Sequence, residues 1–116
     1  MQQMMQVENL DFDDLQHGLA EKRLVIVDVR EAHEYEEGHI PGALLNPLSV
    51  FDPSALPHHS GQRIVLSCRS GKRSLTAAGL AQAAGIPVDA HYAGGMLDWL
   101  AQGGPVETGP AASEAG

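Results

Sequence analysis

The sequence predicts an α/β domain in which a mainly parallel sheet carries helices on both faces. Residues 24–29, LVIVDV, and 63–67, RIVLS, are near-continuous apolar runs of the kind found in strands buried on both sides. Each run leads into a stretch of helix-forming residues, so strands and helices alternate along the chain, the order that produces parallel pairing. The 116 residues have room for one compact core and not for two.

The elements follow in order. Asp11 is the N-cap of a first amphipathic helix over 11–21, DFDDLQHGLAE, with Asp13 and Asp14 in its first turn and Leu15 and Leu19 one helical turn apart. The strand at 24–29 leads into REAHEYEEGHIPGA, a short acidic helix with Gly38 as its C-cap, then a Pro41-Gly42 turn and a brief strand at Leu44 and Leu45. Pro47, Pro53 and Pro57 break residues 46–62 into an irregular connection. After the strand at 63–67 and a short loop, LTAAGLAQAA forms a helix that stops at Gly85 before Ile86-Pro87. A shorter strand covers 88–92, Gly94-Gly95 turns the chain, and MLDWLAQ is a last helix closed by Gly103. The remainder is small, polar and aperiodic.

Composition excludes several functions. Acids outnumber bases 15 to 7 for a net charge of −8, which argues against a nucleic-acid or anionic-membrane surface. A single cysteine cannot form an internal disulfide, so no disulfide framework supports a secreted protein. The first residues, MQQMMQVENLDF, have neither the basic nor the apolar region of a signal peptide, and no stretch has transmembrane length. The expectation is a cytoplasmic protein, monomeric, with no nucleic-acid or membrane partner.

Against this acidic background, SCRSGKRS at 67–74 stands out. Arg69, Lys72 and Arg73, three of the seven basic residues, lie within five positions of the single cysteine, Cys68. The segment joins a buried strand to a helix, where unpaired backbone N–H groups and the helix dipole favour an anion. Gly71 permits a tight bend. A thiol there, ringed by cations, is expected to ionise more readily than an ordinary cysteine and to act as a nucleophile without a separate base. A lone cysteine after an apolar strand is more often packed core, so the inference rests on the whole cluster. Two chemistries use such a thiolate: phosphoester cleavage and sulfur transfer through a persulfide. Cysteine phosphatases share a Cys-x5-Arg loop. Here the arginine comes one residue earlier, at Arg73, and Ser74 occupies its place, so the smaller cradle suits one terminal sulfur better than a phosphate.

Three segments resemble the single-domain rhodaneses: VDVREAHEYEEGHIPGA at 27–43, CRSGKRS at 68–74 and GGMLDWLAQGGPVE at 94–107. The resemblance implies a rhodanese-like five-stranded, mainly parallel sheet over 7–107, with 1–6 as an N-terminal extension and 108–116 as a disordered tail. It implies that Cys68 carries sulfane sulfur, that the loop Arg69, Ser70, Gly71, Lys72, Arg73 and Ser74 binds the substrate anion, and that Asp28 and Arg30 support the loop. The related mercaptopyruvate sulfurtransferases have a largely uncharged loop, so the basic loop here points to a dianionic donor such as thiosulfate. The acceptor would be cyanide in an assay and a small thiol or a protein thiol in the cell. No metal or organic cofactor is required. His39 has an architectural place in the Gly-His-Ile-Pro-Gly turn, and Trp99 is a packing residue. His58-His59 lacks the further ligands of a metal site, and Asp52 and Arg63 have no assigned role. The alternatives are a persulfide relay or regulatory module fed by a partner, a phosphatase or arsenate reductase on the same fold, and a non-catalytic interaction domain.

Overall fold

The computed structural model describes residues 6–111. In chain order it contains β1 (Glu8–Leu10), α1 (Phe12–Ala20), β2 (Leu24–Asp28), α2 (Ala32–Glu37), β3 (Leu44–Leu45), β4 (Arg63–Ser67), α3 (Lys72–Ala83), β5 (Ala90–Tyr92) and α4 (Gly95–Ala101). Two 3-10 turns, Leu48–Val50 and Pro53–Ala55, lie in the proline-rich connection. The five strands form one parallel sheet in the order β1-β5-β4-β2-β3. β4 and β2 are central and carry the two apolar runs.

Alternation along the strands divides the core into two layers. Leu24, Ile26, Val65, Ala90 and Tyr92 meet Leu15 of α1, Tyr35 of α2, and Met96 and Trp99 of α4. Val27, Val29, Ile64, Leu66 and Cys68 meet Ala77, Ala78 and Ala81 of α3 on the opposite face, with Leu48, Phe51 and Leu56 of the connection closing that layer. The alanine-rich face of α3 lets the helix lie close to the sheet, which brings its first turn down over the end of β4.

Local chemistry accounts for the boundaries. Asp11 and Asp14 form a reciprocal capping box on α1, each side chain accepting the other's backbone N–H at 2.9 and 3.0 Å. Gly38 follows α2 in an extended conformation, φ 167°, rather than in the left-handed one that a C-cap glycine usually adopts. Its lack of a side chain serves Val106, whose Cγ1 would lie 2.9 Å from a Cβ there. β1 had no counterpart among the strands read from apolar runs, because it has three residues and only Leu10 is buried.

The C-terminal segment is pinned. His39 and Glu107 exchange backbone hydrogen bonds at 2.8 and 2.9 Å, and the His39 ring stacks on Tyr35 with centroids 3.6 Å apart. Trp99 donates its indole N–H to the Pro105 carbonyl at 2.7 Å. The disordered tail expected from 108 therefore begins too early: the Gly109 N–H bonds Glu36 O at 2.8 Å, and Ala111 packs on the core. The rest of that tail, and residues 1–5 of the expected N-terminal extension, lie outside the described residues.

Asp28 and Arg30 close the end of β2 as a buried ion pair. The guanidinium donates to both carboxylate oxygens, at 2.7 Å to Oδ2 and 3.0 Å to Oδ1, and to the Gly38 carbonyl at 2.8 Å. A buried pair adds little net stability, but removal of one member strands the other without solvent. Arg30→Met is expected to cost about 3–5 kcal/mol, measured by urea unfolding. A loss within about 0.5 kcal/mol, the range of ordinary surface substitutions, would show that the pair does not hold this corner.

Candidate active site

Cys68 is the first residue after β4, and its side chain is 1% exposed. Gly71 is the N-cap of α3 with φ 96°, and a Cβ there would collide with the Ala93 carbonyl. That left-handed residue turns the chain so sharply that α3 starts at Lys72, three residues before the run of good helix formers. Lys72, Arg73 and Ser74 therefore form its first turn. The backbone N–H groups of Gly71 and Ser74 point at Cys68 Sγ, at 3.1 and 3.3 Å. Ser74 Oγ lies 3.5 Å from the same sulfur.

The loop is held from behind by α4. Met96 and Leu97, in the first turn of that helix, donate their N–H groups to the carbonyls of Cys68 and Arg69 at 2.9 and 3.1 Å. Gly95, at φ 63°, allows the approach, since a Cβ would run into the Arg69 carbonyl. The Gly94-Gly95 turn is thus part of the cysteine loop's support.

Burial pushes the Cys68 thiol up. The Ser74 hydroxyl and the N–H groups of Ser74, Ser70 and Gly71 more than offset this, and the thiol is held below its ordinary value. The thiolate expected from the sequence is therefore favoured, by the N–H donors expected at this junction rather than by its cations. Hydrogen-bond donors at contact distance carry the effect, whereas the Arg69 and Lys72 side chains stand exposed at the rim, where water screens them. Arg73 is bound to Glu34 of α2 by a two-pronged contact at 2.7 and 3.0 Å. It serves as a strut between α2 and α3, and the Cys68 charge adds to that of Glu34 in holding the guanidinium above its ordinary value.

Asp28 and Arg30, expected to support the loop, make their side-chain hydrogen bonds with each other and Gly38 instead. By strand alternation Val27 and Val29 share the layer of Cys68, and Asp28 between them faces the other way. Three residues absent from the expected site belong to its surroundings: Glu34, which fixes Arg73, and His91 and Asn9, which continue from Ser74. Among the described residues no group of three His, Cys, Asp or Glu is placed to hold a metal, and no helix is long and apolar enough to cross a membrane.

The fold and loop define an α/β protein built around one hydrogen-bonded cysteine at a strand-to-helix junction. A family model described as Rhodanese-like domain matches residues 11–102, and the chain belongs to that family. It is 34% identical over 101 residues to the human thiosulfate:glutathione sulfurtransferase, a match covering 75% of this chain and 88% of that one. It is 36% identical over 80 residues to YrkF of Bacillus subtilis, a putative sulfur carrier protein, covering 69% of this chain. The chain spans less than half the length of YrkF and of a 40% identical relative from Synechocystis, at 43% and 46%. The human single-domain sulfurtransferase TSTD1 superposes with a TM-score of 0.67 at 30% identity, covering 81% of this chain and 96% of that one. Thiosulfate:glutathione sulfurtransferases and a putative sulfur carrier protein are thus both among the relatives.

The Arg73 guanidinium, through its hydrogen bonds to Glu34, is the main reason that carboxyl is held at about 2 instead of 4.5. A depressed carboxylate contributes stability in full above its unfolded value and loses it as pH falls through the folded value. Glu34→Gln is expected to lower stability at neutral pH by ~1 kcal/mol, the pair being partly exposed. The difference from wild type should close as pH falls from about 4.5 toward 2. Denaturant unfolding across that range checks this, and a gap independent of pH would contradict it.

Proposed function

We propose that the protein is a thiosulfate sulfurtransferase that works through a persulfide on Cys68. The observation that carries this reading is the convergence of the Gly71 and Ser74 N–H groups and the Ser74 hydroxyl on one sulfur atom. A cradle of that kind stabilises negative charge on sulfur. The Cys68 thiolate attacks the outer sulfur of thiosulfate. A new S–S bond forms, the bond to the central sulfur breaks, and its electron pair leaves with sulfite. The persulfide anion remains on Cys68. A thiolate or cyanide then attacks the terminal sulfur and restores the Cys68 thiolate, giving a two-step cycle. Arg69 and Lys72, exposed at the rim, draw in the dianion and steady the departing sulfite.

A small thiol is the cellular acceptor we favour, in line with the human relative, a thiosulfate:glutathione sulfurtransferase. The cycle needs no metal or organic cofactor, and a reducing compartment such as the cytoplasm would keep Cys68 free. We assign it to a monomer. The putative sulfur carrier among the relatives favours a second reading, a relay in which a partner protein loads Cys68.

Incubation of the protein with thiosulfate and no acceptor, followed by intact mass measurement, separates the two. A gain of about 32 Da, absent in Cys68→Ser and removed by cyanide, is expected of the enzyme. No gain with the fold intact would favour the relay. In steady-state assays, Lys72→Ala and Arg69→Ala are each expected to raise KM for thiosulfate roughly threefold to tenfold with kcat little changed, the effect fading at high salt. Equal kinetics in all three proteins would remove the rim cations from the donor site.

A further inference from the structure

The cysteine site continues through buried Ser74 and His91 to the exposed Asn9 of the edge strand, a line of polar groups that sulfur transfer, as written above, does not use. Ser74 Oγ, 3.5 Å from Cys68 Sγ, lies 2.8 Å from Nδ1 of His91, and Nε2 of His91 lies 2.8 Å from Oδ1 of Asn9. Ser74 is fully buried and His91 is 3% exposed. Three elements build the line. Ser74 comes from the first turn of α3, His91 from β5, and Asn9 from β1, where the parallel register sets it beside His91. His91 sits on the α3 face of the sheet, between Ala90 and Tyr92 on the other.

The simplest account is a core histidine whose two ring nitrogens happen to be satisfied. The protons say more. Asn9 Oδ1 is an acceptor, so Nε2 of His91 carries a hydrogen. Nδ1 is then a bare acceptor in the neutral ring and a donor in the protonated one. With Cys68 as a thiol, S–H donates to Ser74 Oγ and Ser74 O–H donates to Nδ1. With Cys68 as a thiolate, Nδ1–H donates to Ser74 Oγ and Ser74 O–H donates to the sulfur. The Gly71 carbonyl, 3.2 Å from Ser74 Oγ, competes for the one hydroxyl proton. Both arrangements turn that proton along the line, and they differ only by two short proton movements.

We infer that His91, acting through Ser74, takes up the proton that Cys68 loses, so that the thiolate forms as one half of a thiolate–imidazolium pair. His91 is a positioning residue that never meets the sulfur donor. The S–H bond breaks with its electron pair left on sulfur, Ser74 Oγ receives that proton, and the Ser74 proton passes to Nδ1. Nothing is oxidised or reduced. Each new charge compensates the other in a site where burial penalises either alone. Burial by itself holds the His91 imidazole below its ordinary value, so the ring is an empty proton site while Cys68 is a thiol.

The groups that face His91 are Cys68 from the loop after β4, Ser74 from α3 and Asn9 from β1, and of these Cys68 is the one that titrates. Its charged neighbours along β1 and β5, Glu8 and Asp89, are held by Arg63 at 2.9 and 3.0 Å. Arg73, adjacent to Ser74, is held by Glu34.

This inference rests on Cys68 being the reactive thiol, and its test uses no sulfur donor, so either idea can fail while the other stands. The first measurement is ultraviolet thiolate absorbance against pH for wild type and His91→Asn, corrected with Cys68→Ser. Asparagine keeps a polar partner for Ser74 but holds no proton. The thiolate midpoint of the folded variant is expected to rise by about one pH unit or more, roughly a tenfold smaller thiolate fraction at a fixed pH below it. The second is imidazole nitrogen NMR on wild type, which decides the matter even where His91→Asn does not fold. The His91 ring is expected to become protonated in the pH range where Cys68 is thiolate, and to stay neutral there in Cys68→Ser. An unchanged midpoint in a folded His91→Asn, or a neutral His91 beside an ionised Cys68, would overturn the assignment.

Discussion

The loop from Cys68 to Ser74 keeps its shape because its groups are bound on two sides at once. On the inner side, the first turn of α4 satisfies the carbonyls of Cys68 and Arg69. With those carbonyls held back, the following N–H groups turn toward the sulfur. A free loop of this length would pay conformational entropy each time it gathered its donors around an anion. Here folding has already met that cost, and charge appearing on sulfur finds its donors in place. Gly71 and Gly95 belong to the same constraint, since each approaches a backbone carbonyl too closely for any side chain.

That constraint changes the meaning of the basic residues. A cluster of cations beside a cysteine suggests thiolate stabilisation by charge, yet the structure divides the labour. Donors at contact distance overcome the desolvation of Cys68, the exposed Arg69 and Lys72 face solvent where an incoming dianion arrives, and Arg73 is spent on Glu34. The Arg73–Glu34 contact crosses from α3 to α2, which belong to opposite layers of the core. It therefore ties together the two helices at one end of the sheet, the end where the strands β2 and β4 stop.

Much of the fold was legible because long apolar runs have one interpretation in a short acidic chain. β2 fills all but the last residue of LVIVDV, and β4 stands where RIVLS predicts it. What was not legible depended on three-residue stretches or on facing. β1 offered one buried side chain as a signal, too little to separate a strand from a loop. The first turn of α3, Lys72 to Ser74, is charged and polar and precedes the helix-forming run, so only the left-handed Gly71 marks where the helix starts. Cys68 was identifiable as the centre of the site from its neighbours in sequence, but the partners of those neighbours were not. Glu34 is 39 residues from Arg73 and Asn9 is 82 from His91. Asp28 and Arg30 stand at the end of the strand that pairs with the cysteine's own, yet they face the other side of the sheet, which a side-chain period of two determines only once the buried layer of each strand is known.

The short edge strand then acquires a reason to exist. β1 pairs with β5 alone and contributes a single buried residue, so its apolar burial is a poor return for ordering three residues. Its register nevertheless places Asn9 directly beside His91, at the far end of the line that starts at the cysteine. Without that amide, Nε2 of His91 would meet water, which both donates and accepts, and either tautomer of the ring could face Ser74. The direction of the Ser74 hydroxyl would then be undetermined, and with it one of the three donors around Cys68. An edge strand that does little for the core thus sets the polarity of a hydrogen-bond line ending on the reactive sulfur.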